Sequence, residues 1–211
     1  MFKKLILIAA VLLFAAAVVF VPFGNDEIKL KRSSDNMRVR YVDAANVPRR
    51  TIQASYRYMT EYEVFLKYNS LIFCGTIKRI RNLELDFDGD LDYHSLILIE
   101  VDEVIRGDIQ RGDVLAVEYG RLIGEDTQGL PMRTRMNGIS TIVNTDPSWY
   151  YQRGRASLCY IDIAEYTFIH VNLGTYLDTP EGVFFYPFMY DGLTDPQTLD
   201  DVKEYIIKII S

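Results

Sequence analysis

The chain has 211 residues, 49% of them apolar and 25% charged, the balance of a globular protein and not of a disordered one. Lys3 and Lys4 are the only charges in residues 1–24; removing them from the net −6 leaves −8 for the rest, which argues against a phosphate-binding surface and against nucleic acid as a partner. Two Cys and two His exclude a zinc cluster and a dense disulfide framework.

The chain opens on Met1-Phe2-Lys3-Lys4, and then runs uncharged from Leu5 to Phe23. As a helix that run is roughly 28 Å long, close to the thickness of a bilayer core. We read residues 1–24 as an uncleaved signal anchor, holding the protein in the membrane through residues 5–23. The alternative is a cleaved secretory signal with Ala15-Ala16-Ala17 as its small-residue site. No Cys ends the run, which excludes a lipid-modified lipoprotein. Lys3 and Lys4 favour a cytoplasmic start and an extracytoplasmic body, although Lys29, Lys31, Arg32, Arg38 and Arg40 on the far flank pull the other way.

Residues 25–50 are polar and read as a stalk, which leaves 51–211 as the body. The spacing of Tyr58, Tyr62, Phe65 and Leu66 predicts an amphipathic helix over 51–69. Strands are predicted over Leu71–Ile77, Ser95–Val104 and Asp113–Tyr119, with an acidic loop at Asp86–Asp92 between the first two. Residues 120–148 read as a long loop rich in Gly, Arg and Thr. Further strands are expected over Ala156–Ile163, Tyr166–Leu173 and Val183–Tyr190, the last demoted to an edge by Pro187. From Thr198 the tail predicts a helix. Thr198 is its N-cap, Asp201 its N3 acid, and Leu199, Val202, Tyr205, Ile206, Ile209 and Ile210 form one apolar face. Five or six strands between helices imply a small antiparallel β-barrel, mainly β, with the last helix closing one open end.

The segments Tyr68–Ile77, Leu96–Asp108 with Arg111–Val117, and Gln152–Ile161 carry a resemblance. Together they resemble a class of bacterial exported β-barrel domains in which a V-E-E-V-hydrophobic-K-G-D strand end is followed by a G-D-hydrophobic-polar-V strand. The resemblance covers roughly residues 61–163. It implies an OB-like (oligonucleotide/oligosaccharide-binding-like) barrel of the kind also seen in tissue inhibitors of metalloproteinases. It implies no catalytic motif. The chain departs from the pattern at Arg155, where an acid is usual, and in the 120–148 insert.

Four constellations carry chemistry. Asp86, Asp88, Asp90 and Asp92 alternate around Gly89, as oxygen ligands do in Ca²⁺ loops, but without the EF-hand spacing; the alternative is a solvated tip. Ca²⁺ is the one cofactor the sequence suggests. Cys74 and Cys159 fall on strands that would neighbour each other, so they form a disulfide outside the cytoplasm or pack as two buried thiols. His94 and His170 are expected in structural roles. Arg121, Arg133, Arg135, Arg153 and Arg155 gather with Trp149, Tyr150 and Tyr151 into the expected binding face.

These readings point to a non-enzymatic, membrane-anchored binding module with an unknown protein or cell-wall partner. The alternatives are a secreted inhibitor or regulator of an extracellular enzyme, and a hydrolase using the Asp86–Asp92 carboxylates. Sequencing the N-terminus of membrane-extracted protein tests the anchor. The expected result is an intact start, and an N-terminus at Val18 or beyond refutes it.

Overall fold

The computed structural model describes residues 37–47, 59–124, 130–145, 164–170, 173–186 and 192–211. The anchor 1–24, the expected strand Ala156–Ile163, and Cys159, Trp149, Tyr150, Tyr151, Arg153 and Arg155 lie outside the described residues. Among the described residues no helix is long and apolar enough to cross a membrane.

Among the described residues eight strands form one mostly antiparallel sheet. They are β1 (Met37–Val42), β2 (Leu71–Phe87), β3 (Asp90–Arg106), β4 (Val114–Tyr119), β5 (Asn137–Asn144), β6 (Tyr166–Phe168), β7 (Thr175–Thr179) and β8 (Gly182–Phe184). Their order is β1-β2-β3-β4-β6-β5-β7-β8, and an added β2–β5 pairing turns part of the sheet back on itself as a partial ring. One helix follows, α1 (Leu199–Ile210).

The centre is the β2–β3 hairpin, two strands of 17 residues each. Asp88 and Gly89 both have positive φ, 55° and 93°, the conformation of a two-residue turn whose twist suits a hairpin. The Asp86 carboxylate accepts from the Gly89 N–H at 2.6 Å and fixes that turn. Both strands run well past the expected bounds. On its second edge β2 pairs with β5 over Leu71–Thr76 and with β1 over Asn82–Phe87, so its polar half Lys78–Glu84 also lies in the sheet. Register shifts at Ile72/Phe73, Cys74/Gly75 and Ile77/Arg79 bend the hairpin between these two pairings.

Several expectations change. Met37–Val42, read as part of the stalk, is a strand against β2. The described part of the predicted helix 51–69 holds only a short π-helical turn, Glu63–Lys67, which Thr60 and Glu63 cap reciprocally. The 120–148 loop contains β5, a strand buried on both faces; its Ser140 and Thr141 are small enough to pack where a longer polar side chain is not. Among the described residues, the strand expected over 166–173 is Tyr166–Phe168 and that expected over 183–190 is Gly182–Phe184; residues 171–172 and 187–190 lie outside them. Thr175–Thr179 is a strand that the pattern of residues did not suggest.

Alternation divides the core in two. Phe73, Ile77, Ile97, Ile99, Val117, Tyr119 and Ile142 pack between the strands of the ring. Phe65, Ile72, Ile139, Val143 and Tyr176 point the other way and pack with Val202 and Ile206 of α1. The helix has the expected box: the Asp201 N–H donates to Thr198 Oγ1 at 3.2 Å, and Asp201 Oδ2 accepts from the Thr198 N–H at 2.8 Å. It is docked as expected, but against the outer side of β5 and β7, where it builds a second core instead of capping the first.

Ile206 is fully buried and its neighbour Ile207 is 45% exposed, so the two isolate the docking contribution. Ile206→Ala is expected to cost about 2 to 5 kcal/mol and Ile207→Ala about 0.5 kcal/mol or less, read from urea unfolding. Equal losses refute a docked helix.

Candidate binding face

The ring leaves β1, β2, β3 and β4 with an outer face whose residues follow from the register. Arg79, Arg81, Leu83 and Leu85 of β2 lie opposite Leu98, Leu96, His94 and Asp92 of β3. Leu96 in turn lies opposite Glu118 of β4, and Leu83 opposite Tyr41 of β1.

His94 is the buried ionic centre of this face. Its Nδ1 lies 2.5 Å from Glu118 Oε1 and its Nε2 3.1 Å from Asp92 Oδ2. Thr167 Oγ1 of β6 donates to Glu118 Oε2 at 2.8 Å. Ionised carboxylates only accept, so satisfying both ring nitrogens requires the imidazolium, which donates from both. Burial alone pushes the His94 pKa down, but the hydrogen bonds and charges of Asp92 and Glu118 outweigh it and raise the pKa to about 9. With both nitrogens committed, His94 has no lone pair for a base or for a metal. It ties β3, β4 and, through Thr167, β6 together.

Above this centre lies a depression of about 170 Å³, lined by Tyr41, Arg79, Arg81, Leu96 and Leu98. The Arg81 guanidinium lies over the Tyr41 ring, 4.5 Å from its centroid. At the far side of the hairpin, Asn82 and Ser95 meet the backbone of Ile123. Asn82 Nδ2 donates to the Ile123 carbonyl at 2.8 Å, and the Ile123 N–H donates back to Asn82 Oδ1 and Ser95 Oγ. These amides pin the chain leaving β4 as a strand partner would.

The residues singled out from sequence are placed as follows. Asp86 and Asp90 fall on opposite faces, because the two-residue turn pairs Asp86 with Leu91 and Phe87 with Asp90. The four carboxylates therefore share no face: Asp86 holds the turn, Asp88 and Asp90 are exposed, and Asp92 holds His94. Among the described residues no group of three or more His, Cys, Asp or Glu is arranged to hold a metal ion. Cys74 is a free, half-buried thiol, and burial with the nearby charge of Glu103 pushes its pKa up to about 11, so it stays protonated at neutral pH.

The segments of Arg121 and of Arg135 attach to β2 at different points. The segment of Arg121 is anchored at Asn82 through Ile123, whereas the Arg135 N–H donates to the Ile77 carbonyl at 2.7 Å. Those attachment points are separated along β2 by about 16 Å. His170 follows β6. The outer-face residues Tyr41, Arg79, Arg81 and Glu118 were not singled out by the sequence reading. The signal was the two-residue spacing of Arg79 and Arg81, which is visible only once β2 is known to continue past Ile77. No family model, curated protein or solved structure matches the chain.

The His94 cluster sets a pH dependence. A pKa raised from about 6.5 in the unfolded chain to about 9 in the fold contributes stability that is complete below the lower value. That stability is lost as pH rises through the higher. The thermal midpoint is expected to fall between pH 6.5 and 9.5, by roughly 2 to 4 °C per kcal/mol lost. His94→Gln removes that slope; an unchanged slope in the variant refutes the assignment.

Proposed function

We propose that the chain is a non-enzymatic binding module on an OB-like barrel, held at the extracytoplasmic side of a membrane through residues 5–23. The observation that carries the reading is the pairing order of five strands. β2 pairs with β3, β3 with β4, β4 with β6, β6 with β5, and β5 again with β2. Only β4–β6 is parallel. That order supports a Greek-key, OB-like reading of the partial ring, an architecture whose outer strand face and adjoining loops serve recognition. The Arg- and Tyr-lined depression on the outer face supports the same reading, because Arg and Tyr are the side chains that anchor interfaces. The uncharged run Leu5–Phe23 after Lys3-Lys4 supports the address.

Protease treatment of intact expressing cells, followed by capture of the full-length chain from the solubilised envelope, tests both parts. We expect external protease to remove the body and an envelope component to co-purify saturably. A body protected in intact cells refutes the address. Saturable turnover of a substrate by the purified chain refutes the non-enzymatic reading.

A further inference from the structure

Arg79 and Arg81 stand two residues apart on the outer face of β2, about 7 Å along the strand. Neither has a carboxylate partner among the described residues, in a protein with 29 acidic and 23 basic side chains. The nearby carboxylates are held by other cations. Glu84 is paired with Arg40, Glu100 with Lys78, and Asp92 and Glu118 with His94. Both guanidinium groups therefore lack an ion-pair partner, with a net excess of one positive charge over these carboxylates, at a depression whose other lining is Tyr41, Leu96 and Leu98.

We propose that this depression docks an acidic peptide segment of a protein partner. One carboxylate is held by Arg79 and Arg81, and a neighbouring aliphatic side chain lies on Leu96 and Leu98. The proposal rests on the binding-module reading and names its partner class. Planar guanidinium forks match a carboxylate in bidentate geometry, which an ammonium does not. The depression of about 170 Å³ has room for a carboxylate and an adjoining aliphatic group. The lining favours peptide over sugar or nucleobase. Stacking ligands need open aromatic platforms. The single ring here already carries Arg81 on a face, and the remaining surface is aliphatic. Desolvation by the leucines and by Tyr41 strengthens the charge-assisted contact relative to one in open solvent.

The test is fluorescence anisotropy of the full chain in detergent with a capped, labelled Leu-Glu-Leu-Glu-Leu peptide. Its Gln counterpart is the charge control, and polygalacturonate the acidic sugar competitor. We expect saturable binding to the Glu peptide, at least about tenfold weaker binding of the Gln peptide, and a similar loss in the Arg79→Gln/Arg81→Gln variant. Arg81→Lys, which keeps the charge and loses the fork, is expected to fall between. The two peptides decide the question on the wild-type chain even where a variant fails to fold. Equal binding of both peptides, absence of saturable binding at millimolar peptide, or binding of polygalacturonate without the peptide each overturns the proposal. Undiminished capture of an envelope component by the double variant refutes this site and leaves the module reading intact. Binding of the peptide by a chain that captures nothing refutes the envelope partner and leaves this site standing.

Discussion

The curled form of the sheet depends on two glycines that let neighbouring strands pack close to the β2–β5 pairing. Gly75 of β2 lies opposite Gly138 of β5, at the pairing that brings the sheet back on itself. A Cβ on Gly75 would stand 2.6 Å from the Glu100 carbonyl oxygen, and one on Gly138 2.6 Å from that of Tyr176. In both cases the obstacle is backbone, which cannot swing aside. β2 here is pressed between β3 and β5, and β5 between β2 and β7. A larger residue at either position pushes β2 from β3 or β5 from β7, and a register shift there takes with it the alternation that sorts the two cores.

From that seam the roles of the two halves of β2 follow. Its first half is apolar on both sides, because the ring lies on one side and α1 with its cluster on the other. On one face of its second half Arg79 and Arg81 are exposed while Leu83 and Leu85 are buried, beside a cluster in which one imidazolium holds two carboxylates. The outer face thus combines a satisfied ionic centre, which rigidifies it, with an unmatched pair of cations, which gives it something to recognise. An unpaired carboxylate at the buried Glu118 would be costly; His94 and Thr167 remove that cost at both oxygens.

Part of this was legible in the residues. The α1 cap and apolar face were plain, since Thr198 and Asp201 act locally and Val202 and Ile206 repeat at helical spacing. The cores of β2, β3 and β4 were also plain, because β-branched residues crowd there. The rest depends on partners distant in sequence. Asn137–Asn144 is polar enough to pass for loop, and becomes a strand because β2, β6 and β7 all offer it pairing. Met37–Val42 alternates charge with apolar residues, as a stalk also can, and is ordered by the far end of the hairpin. The His94 cluster joins residues from three strands, and no local motif marks it. The acidic tip looked like a ligand set because its spacing is regular, whereas the turn sends its carboxylates to different faces.

The pairing pattern also orders events in time. The β2–β3 hairpin is local, joined through Phe87 and Asp90, and forms quickly; the β2–β5 seam joins Leu71 to Ile142 and must wait for a long loop to close. During that interval the early hairpin shows the apolar side of Phe73, Ile97 and Ile99 to solvent and has open edges, the state in which β-proteins associate wrongly. Lys78, Arg79 and Arg81 stand directly after the apolar run, where charges act as gatekeepers against such pairing. The same arginines that we assign to recognition in the finished fold thus guard its precursor, and replacing them bears on the yield of folding as well as on what the surface binds.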